Sequence, residues 1–302
     1  MSLRHLVALD ADASYVTPPV FDGHCVGHTR WDVVGPDNGS VHMGFGVCRL
    51  DPSGTIDWHL HSFEESFFVL EGEVVIETPE GAFRLVAGDY GVVPVGVPHA
   101  WRNDGDGPVR WAEMLAPQVR SGDGDDTFFV DAPVSVGAPQ LIDPRDPRCR
   151  SFGHFEAHHM DPAQQTQDKL ALSASMRTAL LVYSGISVKM MVDSDLGAFL
   201  ATMFMVQYVP GGFAGAHDHP FEEAYMILEG EVEAKLDGQT YRLGPGDIAW
   251  AGVASTHEFK NVGEGPVRWL ETQAPQPPGR HSYRFARDWA YLGEQLDHGH
   301  TH

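Results

Sequence analysis

The sequence is poor in basic residues and in cysteine, and it contains no long apolar run. Lys and Arg number 20 against 42 Asp and Glu, a formal charge of -22 with histidine neutral. Such an excess of negative charge disfavours the phosphate backbone of nucleic acid and anionic membrane surfaces, so neither is an expected partner. The three cysteines, Cys25, Cys48 and Cys149, are odd in number and far apart, which excludes a disulfide framework and a CxxC site. No stretch approaches the roughly 20 apolar residues of a membrane span. The N-terminal MSLRHLVALDADASY lacks the apolar segment and cleavage site of a secretory signal. These absences lead us to expect a protein of a reducing compartment, most simply the cytoplasm. What is present is enough for a core: 42% of the 302 residues are hydrophobic, which excludes an acidic disordered tail and suits one large domain or two ordinary ones.

An internal repeat favours two domains. Residues 59–118 align without a gap to residues 217–276 at a constant offset of 158, with about 27 of 60 positions identical. A period of that length is too long for a solenoid unit and fits a duplicated domain. Each copy reads as β-structure: short apolar or alternating runs such as FFVLEGEVVIET and YMILEGEVEAKL, broken by Glu-Gly and Gly-Asp turns. Short strands punctuated this often indicate an all-β sandwich or barrel, of which the jelly roll is one form. We expect a first domain over 1–120, a linker over 121–185 and a second domain over 186–302. The linker would carry an exposed acidic loop at 121–126 and a helix at 161–181, and a further helix would occupy 281–296.

Within the repeat, four residues of ligand type recur at the same spacing: His59, His61, Glu65 and His99, then His217, His219, Glu223 and His257. On a strand, residues two apart share a face, so each HxH pair projects together, and the glutamate follows on that face if the register holds. Three imidazoles and a carboxylate suit one divalent transition metal per domain (Fe, Mn, Ni, Cu or Zn) with positions left for other ligands. Glu64 and Glu222 should point the other way, toward solvent or a hydrogen bond. Strand parity also assigns Phe45, Val47, Phe67, Val69 and Trp101 to the first metal-facing pocket, and Met203, Met205, Tyr225, Ile227 and Phe259 to the second. Aromatic and thioether walls favour a small apolar or aromatic substrate. Arg110 and Arg268 read as structural ion pairs at the rim. The tail histidines His298, His300 and His302 read as a solvated end.

These residues resemble the two motifs of the cupin superfamily. The first, HxH-x3-E-x6-G, is matched by His59, His61, Glu65 and Gly72 and again by His217, His219, Glu223 and Gly230. The second, G-x5-P-x-G-x2-H-x3-N, is matched by Gly88, Pro94, Gly96, His99 and Asn103. The second copy keeps Gly246, His257 and Asn261 but has Gly252 and Ala254 in place of the Pro and the second Gly. The resemblance implies a bicupin: two double-stranded β-helix (jelly-roll) barrels, each with a metal between its sheets. It further implies a dioxygenase of the quercetinase-like kind acting on an enol, phenol or diketone, with Glu65 or Glu223 taking the substrate's hydroxyl proton. A non-oxidative isomerase, decarboxylase or aminohydrolase is the alternative, and a non-enzymatic small-ligand binding protein is a third reading. Cupins of this type commonly pair through their outer sheets, so a homodimer is expected from the resemblance.

Overall fold

The computed structural model describes residues 4–120, 126–133, 136–161, 183–276 and 284–285. Among them regular structure is β-strand with short 3-10 turns, and no helix is long and apolar enough to cross a membrane. The chain forms two units. One comprises Ala13–Glu156 and Met191–Thr202; the other comprises Met1–Asp12, Ala157–Met190 and Met203–His302, each taken over its described residues.

In the first unit the strand Gly44–His61 organises the sheet. Its first half pairs with Cys25–Val34 on one side and Val109–Ala116 on the other, and its end pairs with His99–Arg102 and Thr127–Phe129. Alternating apolar residues of these strands meet inside. Phe67, Val69, Ile76, Phe83, Leu85, Trp101 and Trp111 form one buried cluster with Cys48, Leu50 and Ile56. Each large side chain so buried contributes about 1.5–3 kcal/mol. The second unit repeats the plan on Thr202–Asp218, with Tyr225, Ile227, Phe259 and Trp269 in its core.

Four short strands are grouped otherwise than the sequence division at 120 and 185 groups them. Thr127–Phe129, Gln140–Leu141 and Phe152–His154 are short strands of the first unit's sheet rather than linker. His5–Ala8, grouped by sequence with the first half, pairs antiparallel with Ile248–Ala251 of the second. Strands of two to four residues are held by backbone hydrogen bonds along a sheet edge, which leaves too short a side-chain pattern to recognise. The tail helix expected over 281–296 is corrected at Arg284–Phe285, which pair as strand with His217 and Asp218; its other residues lie outside the described ones. So do 162–181 of the expected linker helix, 121–125 of the acidic loop, and the tail histidines.

Candidate metal centres

Each quartet is assembled from three strand ends. His59 and His61 finish Gly44–His61, Glu65 lies at the start of Glu64–Glu71, and His99 opens His99–Arg102 directly opposite His59. In the second unit His217 pairs opposite His257 in the same way. The ligand atoms of His59, His61, Glu65 and His99 all lie within 4.8 Å of one another, as do those of His217, His219 and His257. All eight residues, Glu223 included, are buried.

The hydrogen bonds fix which nitrogen of each ring is available. Nδ1–H of His59, His61 and His99 donates to the carbonyls of Asp57, Phe63 and Val97 at 2.8, 2.7 and 3.1 Å. Nδ1–H of His217, His219 and His257 donates to Gly215, Phe221 and Ser255 at 2.7, 2.9 and 2.9 Å. The proton therefore sits on the outer nitrogen, and the Nε2 lone pair points inward, as a metal-ligating imidazole requires. Glu65 Oε2 lies 3.1 Å from Nε2 of His61 and 3.2 Å from Nε2 of His99. A carboxylate facing two inward lone pairs at that range is an arrangement that a shared cation would satisfy. Burial, with His99 beside it, pushes the His59 imidazole down to about 3, so the ring stays neutral and able to donate its lone pair. Three imidazoles and a carboxylate fit a divalent first-row ion, and this donor set accepts Fe, Mn, Ni, Cu or Zn.

The two centres differ at the glutamate. Glu65 Oε1 is buried with no hydrogen-bond partner. Glu223 has both oxygens engaged: Oε1 accepts from Gln273 Nε2 at 2.5 Å, and Oε2 accepts from the Tyr225 hydroxyl while lying 2.8 Å from His219 Nε2. At the offset of 158 the first unit has Leu115 for Gln273 and Phe67 for Tyr225, so neither donor exists there. Tyr225 was assigned by parity to a pocket wall, but its phenol is a carboxylate partner.

A cavity of about 390 Å³ opens over the first quartet, lined by His59, His61, Glu65, Trp101 and Ile56 and by Phe21, His28, Arg30 and Glu113. Of the five residues that parity assigns to this pocket, Trp101 lines it, while Phe67 and Val69 are core packing. Phe45 and Val47 are a correction: both are fully buried but on the opposite face of the sheet. The inward residues of that stretch are Gly46, Cys48 and Leu50, set opposite Glu113, Trp111 and Val109. A register shift between Ile56 and His59 inverts the alternation along the strand. The same shift falls between Ala214 and His217, so Phe204 and Val206 join the second core cluster in place of the expected Met203 and Met205. Tyr225, Ile227 and Phe259 belong to that cluster.

Glu64 is buried rather than solvated, and its carboxylate accepts from the backbone N–H groups of Phe199 and Leu200 at 2.7 and 2.9 Å. Arg110 bonds the Tyr15 hydroxyl at 3.0 Å and lies 3.7 Å from Glu71, and Arg268 pairs with Glu229 at 2.9 Å, both structural roles. His28 and Arg30 were not anticipated from the sequence. The signal was available: carrying the offset of 158 back to Gly27 and Gly185 aligns His28 with Ile186 and Arg30 with Val188.

A family model described as Cupin domain matches residues 46–115 and 204–272. Among curated proteins the chain is 31% identical over 90 residues to polyketide synthase CurC of Streptomyces cyaneus, covering 28% of this chain. The match spans 58% of that relative's length, so the chain covers only part of the curated protein it resembles. Among solved structures it is similar to oxalate decarboxylase from Bacillus subtilis, with a TM-score of 0.60 and 16% identity over 100% of this chain and 83% of that one. It is also similar to salicylate 1,2-dioxygenase from Pseudaminobacter salicylatoxidans, with a TM-score of 0.58 and 18% identity over 81% and 76% of the two chains.

Proposed function

Because the chain belongs to the cupin superfamily, with two cupin domains and the bicupin fold, we propose that it is a metal-dependent dioxygenase of a small aromatic or apolar enol, phenol or diketone, converted in its first domain. The observation that carries this reading is the free Oε1 of Glu65, buried within a quartet that opens onto a cavity. His59, His61, Glu65 and His99 would hold the ion, which supplies Lewis acidity and a template for an ionised substrate oxygen. Phe21 and Trp101 offer aromatic walls that orient a flat substrate and exclude water. Glu65 would accept the substrate's hydroxyl proton at Oε1. Glu223, held by Tyr225 and Gln273, would not, and the second centre is assigned a structural role.

Metal analysis of the purified protein, then oxygen-uptake screening with catechols, enols and diketones, tests the reading. Glu65→Gln should lower turnover at least a hundredfold, the scale of a lost general base, while Glu223→Gln leaves more than half. Full activity in Glu65→Gln with metal still bound would exclude the base role. Turnover that persists without dioxygen transfers the assignment to a non-oxidative lyase or isomerase. The homodimer is checked by sedimentation.

A further inference from the structure

Strand Cys25–Val34 lies beside Gly44–His61 in a register that sets His28 opposite Leu50, Arg30 opposite Cys48 and Asp32 opposite Gly46. Those partners face inward, so His28 and Arg30 do too, and both line the cavity that holds His59, His61 and Glu65. His28 is 2% exposed, and neither ring nitrogen has a hydrogen-bond partner. Its ring lies parallel to Trp111 with centroids 6.2 Å apart. Phe21 stands edge-on to His28 at 5.2 Å and to His59 at 5.3 Å, which joins this imidazole to the metal quartet across one ring. Arg30 is 8% exposed: Nη1 pairs with Asp32, Nε lies 2.9 Å from Glu113, and Nη2 is buried without a partner. Buried donors left idle are costly, and a cavity holding two such groups is built for a ligand that satisfies them.

The contrast with the second unit isolates the feature. The positions of His28, Arg30 and Gly46 are taken there by Ile186, Val188 and Phe204, all of which pack in or against the apolar core. Gly46 is what admits the guanidinium, since a Cβ there would lie 3.0 Å from Arg30 Cζ and 2.6 Å from the Trp31 carbonyl oxygen. The partners of Arg30 leave one buried donor over, Nη2. Asp32 is 61% exposed and screened by water, and burial holds the Glu113 carboxyl above its ordinary value even with Arg30 beside it.

We propose that Arg30 and His28 bind a carboxylate, so that the ligand of the first cavity is the anion of a small, largely apolar acid. Arg30 Nη2 and one N–H of His28 donate to the carboxylate oxygens, and Phe21 and Trp101 flank the apolar body. That this ligand is the substrate rests on the function proposed above; the binding does not.

The test is calorimetric titration of the full-length protein, its metal content measured beforehand, with benzoate and with the neutral isostere benzamide. Benzoate should bind about tenfold tighter, as a charge-assisted pair implies. Arg30→Val and His28→Ile, which import the residues of the second unit, should each lose most of that preference and leave benzamide unaffected. If Arg30→Val does not fold, His28→Ile and Arg30→Lys decide, the latter keeping the charge but weakening benzoate through loss of the planar fork. Equal affinity for the two probes, no detectable benzoate binding, or unchanged benzoate affinity in the folded variants overturns the proposal. Metal bound without benzoate preference sinks the anion site alone. Benzoate preference without metal in the first quartet sinks the enzymatic reading alone.

Discussion

A histidine whose Nδ1–H is held by a carbonyl has only its Nε2 lone pair to offer, and six imidazoles in this chain are held in that way. His28 is the contrast, buried among rings with both nitrogens idle. Burial, with Arg30 adding to it, pushes the His28 imidazole down to about 4 from an ordinary 6.5. Between those values the unfolded chain binds a proton at this position that the folded protein does not. Stability from this residue is therefore fully present above pH 6.5 and is lost as pH falls toward 4, by about 3 kcal/mol in all. Replacing His28 with Ile should flatten that part of the profile. The measurement is the urea midpoint of both proteins across the interval, and parallel curves would mean that the pKa of His28 does not change on folding.

At the scale of the element, the turn before the last ligand of each quartet shows what one backbone angle decides. Gly96 has φ +74 and Ala254 has φ +60, both left-handed, and each backbone N–H donates to the carbonyl of a ligand histidine: Gly96 to His61 at 2.9 Å, Ala254 to His219 at 3.0 Å. The second turn thus keeps its shape without the motif's proline and glycine, at a cost of about 1 kcal/mol for a side chain in that region. Ala254→Gly should raise the melting temperature by a few degrees and leave metal content unchanged; a lower melting temperature would refute the strain. Asn103 and Asn261 were legible as motif positions, and each side-chain amide donates to two carbonyls that tie the following loop to its long strand. Phe45 and Val47 were misread because alternation is a reliable guide only within an unbroken register, and the shift between Ile56 and His59 is invisible in the residue pattern.

For the whole molecule, duplication has produced two units with the same frame and different interiors. Each quartet is contained within its own unit. Fully loaded protein should therefore carry two ions per chain, and His59→Ala should bring elemental analysis down to one without emptying the second centre. Loss of both ions would show that the units do not bind independently. Chelation of both should lower the melting temperature, since an ion at a thousand times its dissociation constant contributes about 4 kcal/mol to the unit that binds it.

Duplication, β-architecture and the eight candidate ligand positions were all readable in the chain, because recurrence at a constant spacing survives without coordinates. The surroundings of each site were decided only in three dimensions. Whether a glutamate oxygen stays free depends on residues far along the chain, Gln273 against Leu115 and Tyr225 against Phe67. Whether a cavity carries charge depends on a neighbouring strand, Cys25–Val34, whose register brings His28 and Arg30 to the inner face. Spacing along a strand determines which side chains travel together, whereas pairing between strands determines what they meet.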